Sequence, residues 1–279
     1  MITKVIPIID TMFALDGGAM FGVVPRNLWN RTNPADDENR IDLAMRSIYL
    51  ELGDKKILID TGIGNKNNEK FDKMFKVDKK QNLVLNLEDA YISTDDITDI
   101  IITHLHFDHA GGNTFIDENG KLVPRFKNAT YHVQKENFEH AMSSPVRERA
   151  SYLKENIIPI QEANQLNLID GKQVLFDEIE LIPQYGHTIG QQLVKFKFNN
   201  QIYVYMADTI PTSSHINIPF VMGYDIQPLI TMKEKEVLLE KAVKEDWVLL
   251  YEHDPYLIGS KVVFDGRKYK KGEILEGFE

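Results

Sequence analysis

The segment Thr103-His104-Leu105-His106-Phe107-Asp108-His109-Ala110-Gly111-Gly112-Asn113 sets three imidazoles and a carboxylate within six residues. Imidazole nitrogen and carboxylate oxygen are donors that zinc, iron and manganese accept. The apolar run before it, Asp99–Thr103, predicts a strand. Alternate side chains of a strand share a face, so His104 and His106 point the same way. A turn after them brings Asp108 and His109 towards a second ion. Gly111 and Gly112 permit a tight turn or a close backbone approach. The chain has no cysteine, which excludes thiolate-held metal, disulfides and a thiol nucleophile.

Three further segments put a ligand-type residue at the end of an apolar run. His187 follows Glu180–Pro183, Asp208 ends Ile202–Ala207, and His253 ends Trp247–Glu252. Ligands at strand ends converge on one edge of a sheet. Asp60 ends Lys56–Asp60 and is a candidate to orient a ligand histidine from behind. Of the other histidines, His132 and His140 read as structural or solvated. His215, seven residues after Asp208, is a candidate substrate contact. Asp254 reads as a loop acid.

The elements that must position these residues alternate. Strands are predicted at Ser47–Leu52, Lys56–Asp60, Asp99–Thr103, Thr130–Gln134, Glu180–Pro183, Gln192–Lys197, Ile202–Ala207 and Trp247–Glu252. Helices are predicted at Glu136–Met142, Pro145–Asn156 and Thr231–Lys244. The last has Thr231 as N-cap and Glu234 three residues on, a capping-box pattern. This interspersion means an α/β or mixed α+β class. With 279 residues, 43% hydrophobic, and no low-complexity linker, residues 1–279 read as a single domain.

The longest irregular stretch, Asp16–Arg40, carries Met20, Phe21, Val23, Val24 and Trp29. Apolar groups in a long loop suggest a substrate wall, with packing on the core or on a second subunit as the alternative. The balance of 32 basic and 42 acidic residues, net −10, speaks against a nucleic-acid partner. No apolar run approaches the ~18 residues of a membrane span, and the first residues do not form a signal peptide. The expectation is a cytoplasmic enzyme with a small-molecule substrate, no nucleic-acid or membrane partner, and homodimerisation as an option.

The ordered set His-x-His-x-Asp-His at His104–His109, then His187, Asp208 and His253, resembles the metallo-β-lactamase superfamily. The resemblance runs from the Asp60 segment to His253. It implies an αββα four-layer sandwich and two divalent ions, zinc first, with manganese or iron as alternatives. His104, His106 and His187 would bind one ion. Asp108, His109 and His253 would bind the other, and Asp208 would bridge them with a water or hydroxide. Such a pair lowers the pKa of water from 15.7 to roughly 7 and polarises the scissile group. Asp108 or Asp208 would then pass a proton to the leaving group.

Within that superfamily several branches fit poorly. Many zinc β-lactamases use a cysteine ligand, which is absent. Glyoxalase II carries an added helical domain, whereas 26 residues (279 − 253) follow His253. RNA-processing members show basic surface, and flavo-diiron members replace one motif histidine with glutamate, whereas His106 is intact. The run His104–Asn113 and the segment Gly17-Gly18-Ala19-Met20-Phe21-Gly22-Val23-Val24-Pro25 resemble the acyl-homoserine lactone lactonases, the quorum-quenching branch, and related aryl-ester or phosphotriester hydrolases. A lactonase branch has a tyrosine three residues after the bridging aspartate. That position here is Pro211, leaving Tyr224, Tyr185 or His215 to supply a polar contact. The reading is a dinuclear hydrolase of a lactone or ester-like small molecule. The alternatives are an aryl-ester or phosphotriester hydrolase, and a non-catalytic metal-binding sensor module.

Overall fold

The β-branched and aromatic runs become strands in a computed structural model that describes residues 1–278. The chain divides into two compact units. One comprises Met1–Met12 and Met45–Gln173; the other comprises Phe13–Ala44 and the chain from Val174 onward.

Eight strands come first: β1 (Ile2–Asp16), β2 (Arg40–Leu52), β3 (Lys55–Ile59), β4 (Asp99–Ile101), β5 (Thr114–Ile116), β6 (Leu122–Pro124), β7 (Thr130–Gln134) and β8 (Leu166–Ile169). β5 and β6 make a separate hairpin, and the other six form one sheet in chain order. β3, β4, β7 and β8 run parallel. Parallel neighbours require crossover connections, which the helices Glu69–Phe75, Leu83–Asp89, Lys135–Met142 and Ile158–Glu162 help supply. Asn68 and Asn82 cap the first two, accepting from the amides of Phe71 and Leu85. The first unit's core gathers Leu58, Leu87, Ile100, Tyr131, Val133 and Ile160, all fully buried.

The remaining strands are β9 (Gln173–Leu175), β10 (Ile179–Gln184), β11 (Gln191–Phe198), β12 (Gln201–Tyr205), β13 (Trp247–Leu250), β14 (Gly259–Phe264) and β15 (Tyr269–Leu275). They form a seven-stranded sheet running from β15 through to β9. β12 and β13 are parallel, and the helix Pro228–Lys244 connects them, packing Leu238, Leu239 and Ala242 with Val204, Trp247 and Leu249. β10 and β12 both pair antiparallel with β11. β10, β12 and β13 therefore end at the same edge of the sheet, and the chain leaving them carries His187, Asp208 and His253. The fold is α/β, as expected.

Four local expectations need correction. The helix expected from Thr231 begins at Pro228, with Gln227 in the cap position. Proline suits a first helical turn, where its missing N–H has no partner to lose. Glu234 closes no capping box; its carboxylate accepts from the amides of Tyr185 (2.6 Å) and Gly186 (3.1 Å). The helix expected over Pro145–Asn156 is a series of turns ending in a 3-10 turn, Lys154–Asn156, and the Glu148 side chain within it bonds to His140.

The stretch Asp16–Arg40 contains two short helices, Gly17–Phe21 and Arg26–Trp29, the first capped by Asp16. Met20, Phe21 and Trp29, read as a substrate wall or as packing on the core or a second subunit, are buried. The Phe21 ring stacks on Trp29 at 5.5 Å and on His215 at 4.5 Å. These side chains form the interior of the loop, and among the apolar residues named there Val23 stands out in solvent. Finally, β1, β5, β6, β8, β9, β14 and β15 were not foreseen. Pro7 and Asp10 interrupt the first. The last is an edge strand carrying Lys270, Lys271 and Glu273, charges that protect an edge from further pairing.

Candidate functional site

In the first unit, β3 and β4 end side by side, and the residues beyond them meet. Asp60 leaves β3 with φ at 57°, a left-handed conformation that a non-glycine residue holds only when its surroundings insist. Its carboxylate accepts from the amide (2.7 Å) and the hydroxyl (2.6 Å) of Thr103. It also lies 3.1 Å from Nδ1 of His109. Because the Thr103 hydroxyl donates to Asp60, its oxygen is free to accept from Nδ1 of His104, 3.1 Å away. One carboxylate thus orients two imidazoles, one directly and one through a hydroxyl, and selects the Nδ1–H tautomer of each.

His106 is turned the other way. Its Nε2 lies 3.6 Å from Glu148, its Nδ1 lies 3.0 Å from Nε2 of His104, and Tyr152 packs edge-on against its ring. Glu148 also holds His140, at 2.6 Å. The turn carrying Asp108 and His109 is pinned by backbone contacts. Thr61 donates to the His109 carbonyl (2.8 Å), and Gly112 donates to the Gly62 carbonyl (3.1 Å). A Cβ on Gly111 would lie 2.2 Å from the Ile63 carbonyl oxygen, and one on Gly112 2.1 Å from that of Thr61. The two glycines serve close approach.

Behind this turn Asp10 accepts from the amides of Ile63 (2.9 Å) and Leu83 (2.7 Å). Burial pushes its carboxyl up to about 6, against the opposing pull of those amides.

In the second unit, His187, Asp208 and His253 come together. Nδ1 of His187 lies 2.9 Å from Asp225 Oδ1, and Nδ1 of His253 lies 2.9 Å from the Ala44 carbonyl oxygen. The two oxygens of Asp208 face the opposite nitrogens. Oδ2 lies 3.2 Å from Nε2 of His187, and Oδ1 lies 3.1 Å from Nε2 of His253. Ala207, just before, has φ at 43°, a second left-handed non-glycine residue beside a candidate ligand. Gly186 lets its segment lie on the long helix, since a Cβ there would meet the Thr231 amide at 2.4 Å.

All seven ligand-type residues are buried. His104, His109, His187 and His253 each turn Nδ1 to a protein oxygen, which leaves Nε2 as a candidate metal donor. The donor set of nitrogen and carboxylate oxygen fits divalent zinc, manganese or iron.

Other sequence candidates lie elsewhere. His215 is committed to structure: Nε2 donates to the Met20 carbonyl (2.8 Å) and Nδ1 faces the Thr212 hydroxyl (2.8 Å). Complete burial pushes its pKa down to about 3, so the imidazole is neutral in the folded chain. His132 pairs with Asp99 at 2.9 Å. Asp254 accepts from the amides of Ser213, Tyr256 and Leu257, shaping a loop. Pro211 is buried, and its carbonyl accepts from the His253 amide (3.0 Å). Tyr224 is partly exposed, one residue before Asp225. Asp225 and Glu148 were not found from sequence, because no local pattern marks a carboxylate whose partner lies 38 or more residues away.

Comparison with known proteins agrees with this chemistry. The sequence profile described as the metallo-β-lactamase superfamily matches residues 44–253. The chain belongs to that superfamily. A curated N-acyl homoserine lactonase from Bacillus sp is 28% identical over 229 residues, covering 77% of this chain and 82% of the relative. A solved structure of a probable metal-dependent hydrolase from Staphylococcus aureus is 29% identical, with a TM-score of 0.87 over 98% of each chain. A dizinc quorum-quenching lactonase, AidC, shares the fold at 18% identity, with a TM-score of 0.78 over 99% of this chain and 97% of that one. This metallo-β-lactamase-superfamily chain is a hydrolase related to lactonases, with His and Asp clusters suited to metal. No helix among the described residues is long and apolar enough to cross a membrane.

Proposed function

We propose that the chain is a dinuclear metal-dependent hydrolase whose substrate is a lactone or a related ester-like small molecule. The observation that carries the dinuclear reading is Asp208, whose two oxygens each face Nε2 of a different histidine. A carboxylate so placed suits a bridge between two cations. In this reading one ion would take His104, His106, His187 and Asp208, and the other Asp108, His109 and His253, with Asp208 reaching the second ion through the oxygen that faces His253. Zinc is the first choice of metal.

Two such ions would activate water near neutral pH and polarise the scissile carbonyl. The chain's own residues do the rest. Asp60, Asp225, Glu148 and the Ala44 carbonyl hold the imidazoles in fixed orientation. Asp108 or Asp208 would take up the proton released on attack and return it to the leaving alkoxide. The products are a carboxylic acid and an alcohol, joined in one molecule when the substrate is a ring.

A lactone is preferred because the curated relatives named above are N-acyl homoserine lactonases. Pro211 keeps a second reading open. It offers no hydroxyl where a lactonase branch has tyrosine, and an aryl phosphotriester needs none. Metal analysis coupled to kcat/KM for acyl-homoserine lactones, aryl esters and phosphotriesters decides between them. Two ions per chain and a lactone value above ~10⁴ M⁻¹s⁻¹, the low end of ordinary enzymes, are expected. Lactone turnover near the buffer rate beside a competitor above that value transfers the assignment to the competitor. Fewer than two ions in fully active protein removes the dinuclear reading.

A further inference from the structure

The second unit contains a cavity of about 450 Å³ whose rim carries Arg31, Lys268, Lys270 and Lys271. That volume lies within the ~300–1,000 Å³ range of small-molecule sites. No acidic side chain lines it, although the whole chain has a net charge of −10. Lys270 is held by Asp265. Among the described residues, the side chains of Arg31, Lys268 and Lys271 have no ion-pair partner. The adjoining cleft shares Lys268 but has Glu236 and Glu240 in its wall, so its charge is balanced. Lys270 is paired and Lys268 also borders the cleft with Glu236 and Glu240, which leaves Arg31 and Lys271 as the cations that focus a positive field into this concavity.

The floor has different chemistry. Leu28, Ile216 and Phe220 present apolar surface. Phe220, one of these apolar lining residues, stands edge-on to Phe21, with ring centroids 6.0 Å apart. The hydroxyls of Ser213 and Ser214 stand at the wall, and among the described residues neither has a hydrogen-bond partner. Hydroxyl donors and cations above an apolar floor suit one kind of occupant. We propose that this cavity binds an amphiphilic anion, a phosphate, sulfate or carboxylate head carried on an apolar chain.

Calorimetric titration of the metal-loaded full chain with monomeric octyl sulfate tests this. Sulfate coordinates metals weakly, so the probe reports on the cavity rather than on the metal ligands. One site per chain is expected. Affinity should fall about tenfold in Lys268→Gln/Lys271→Gln, and similarly in Ser214→Glu, which places a carboxylate in the wall. Octyl glucoside, with the chain but no charge, and inorganic sulfate, with the charge but no chain, should each bind about tenfold more weakly than octyl sulfate. Equal octyl sulfate binding by the wild type and both variants overturns the proposal, as does inorganic sulfate binding as tightly as octyl sulfate. Sedimentation with phosphatidylglycerol vesicles separates a soluble ligand from a bilayer. Octyl sulfate binding without vesicle binding assigns a soluble ligand, and vesicle binding without octyl sulfate binding overturns the cavity as the site.

Discussion

Asp60 and His109 are 49 residues apart in the chain, yet the Asp60 carboxylate lies 3.1 Å from Nδ1 of His109, and both side chains are fully buried. The same carboxylate holds the Thr103 amide and hydroxyl. Changing Asp60→Asn substitutes an amide N–H₂ for one acceptor and sets it against donors. The expected result is metal affinity weakened ~10–100-fold, the range for partners standing behind ligands. A stability loss of about 1–3 kcal/mol should accompany it, from donors left unsatisfied in the interior. Metal titration by competition with a chelator, together with denaturant unfolding, measures both. Wild-type metal affinity in this variant would show that His109 needs no such support.

The pH dependence of stability should carry the signature of His215. In the unfolded chain this imidazole takes up a proton near pH 6.5, whereas in the folded chain burial delays protonation to about 3. Protons therefore favour the unfolded chain below 6.5. The stabilisation is complete above that pH and declines as pH falls towards 3, by at most ~1.4 kcal/mol per pH unit. Unfolding midpoints from pH 7 to pH 4, compared between wild type and His215→Gln, test this. The variant should be less stable at pH 7 and should show a shallower decline. Parallel curves would remove His215 as the source.

For the bridge, Asp208→Asn preserves shape and removes a negative charge set between His187 and His253 at 3.2 and 3.1 Å. Loss of one ion per chain is expected, with kcat/KM down by at least ~100-fold, about 2.7 kcal/mol of transition-state stabilisation. Circular dichroism should be unchanged. Turnover close to wild type would rule out Asp208 as a bridging group.

What could be seen in advance divides along physical lines. Foreseen strands such as Asp99–Thr103, with Ile100, Ile101 and Ile102 in succession, contain continuous apolar runs, and burial on both faces of a parallel sheet makes such runs visible. β1 was missed because Asp10 sits inside it as an acceptor for loop amides, a demand set by Ile63 and Leu83 far along the chain. At the candidate site the motif from His104 to His109 is local and therefore visible, and Asp60 stands out at a strand end. Asp225 and Glu148 serve partners brought near only by folding. For the segment Asp16–Arg40 the sequence left two readings open for the same reason, since what covers Phe21 is the distant His215.

That relationship makes the last prediction. Phe21 is fully buried, stacked on His215 at 4.5 Å and on Trp29 at 5.5 Å, while His215 donates to the Met20 carbonyl one residue away. Phe21→Ala empties the centre of this stack. Truncation of a core phenylalanine removes both transfer energy and packing, about 3–5 kcal/mol. The segment Gly17–Trp29 should loosen, and His215 should gain water. Its protonation would then rise from about 3 towards 6.5, so the acid-side decline in stability should flatten in the variant. A substrate wall would show a different pattern, with KM and the preference among acyl chain lengths changing at unaltered stability. Unfolding curves, proteolysis within residues 17–29, and kinetics over a series of chain lengths separate the two. The expected outcome is a large stability loss with chain-length preference retained, and a preference change in a protein as stable as wild type would return Phe21 to the substrate pocket.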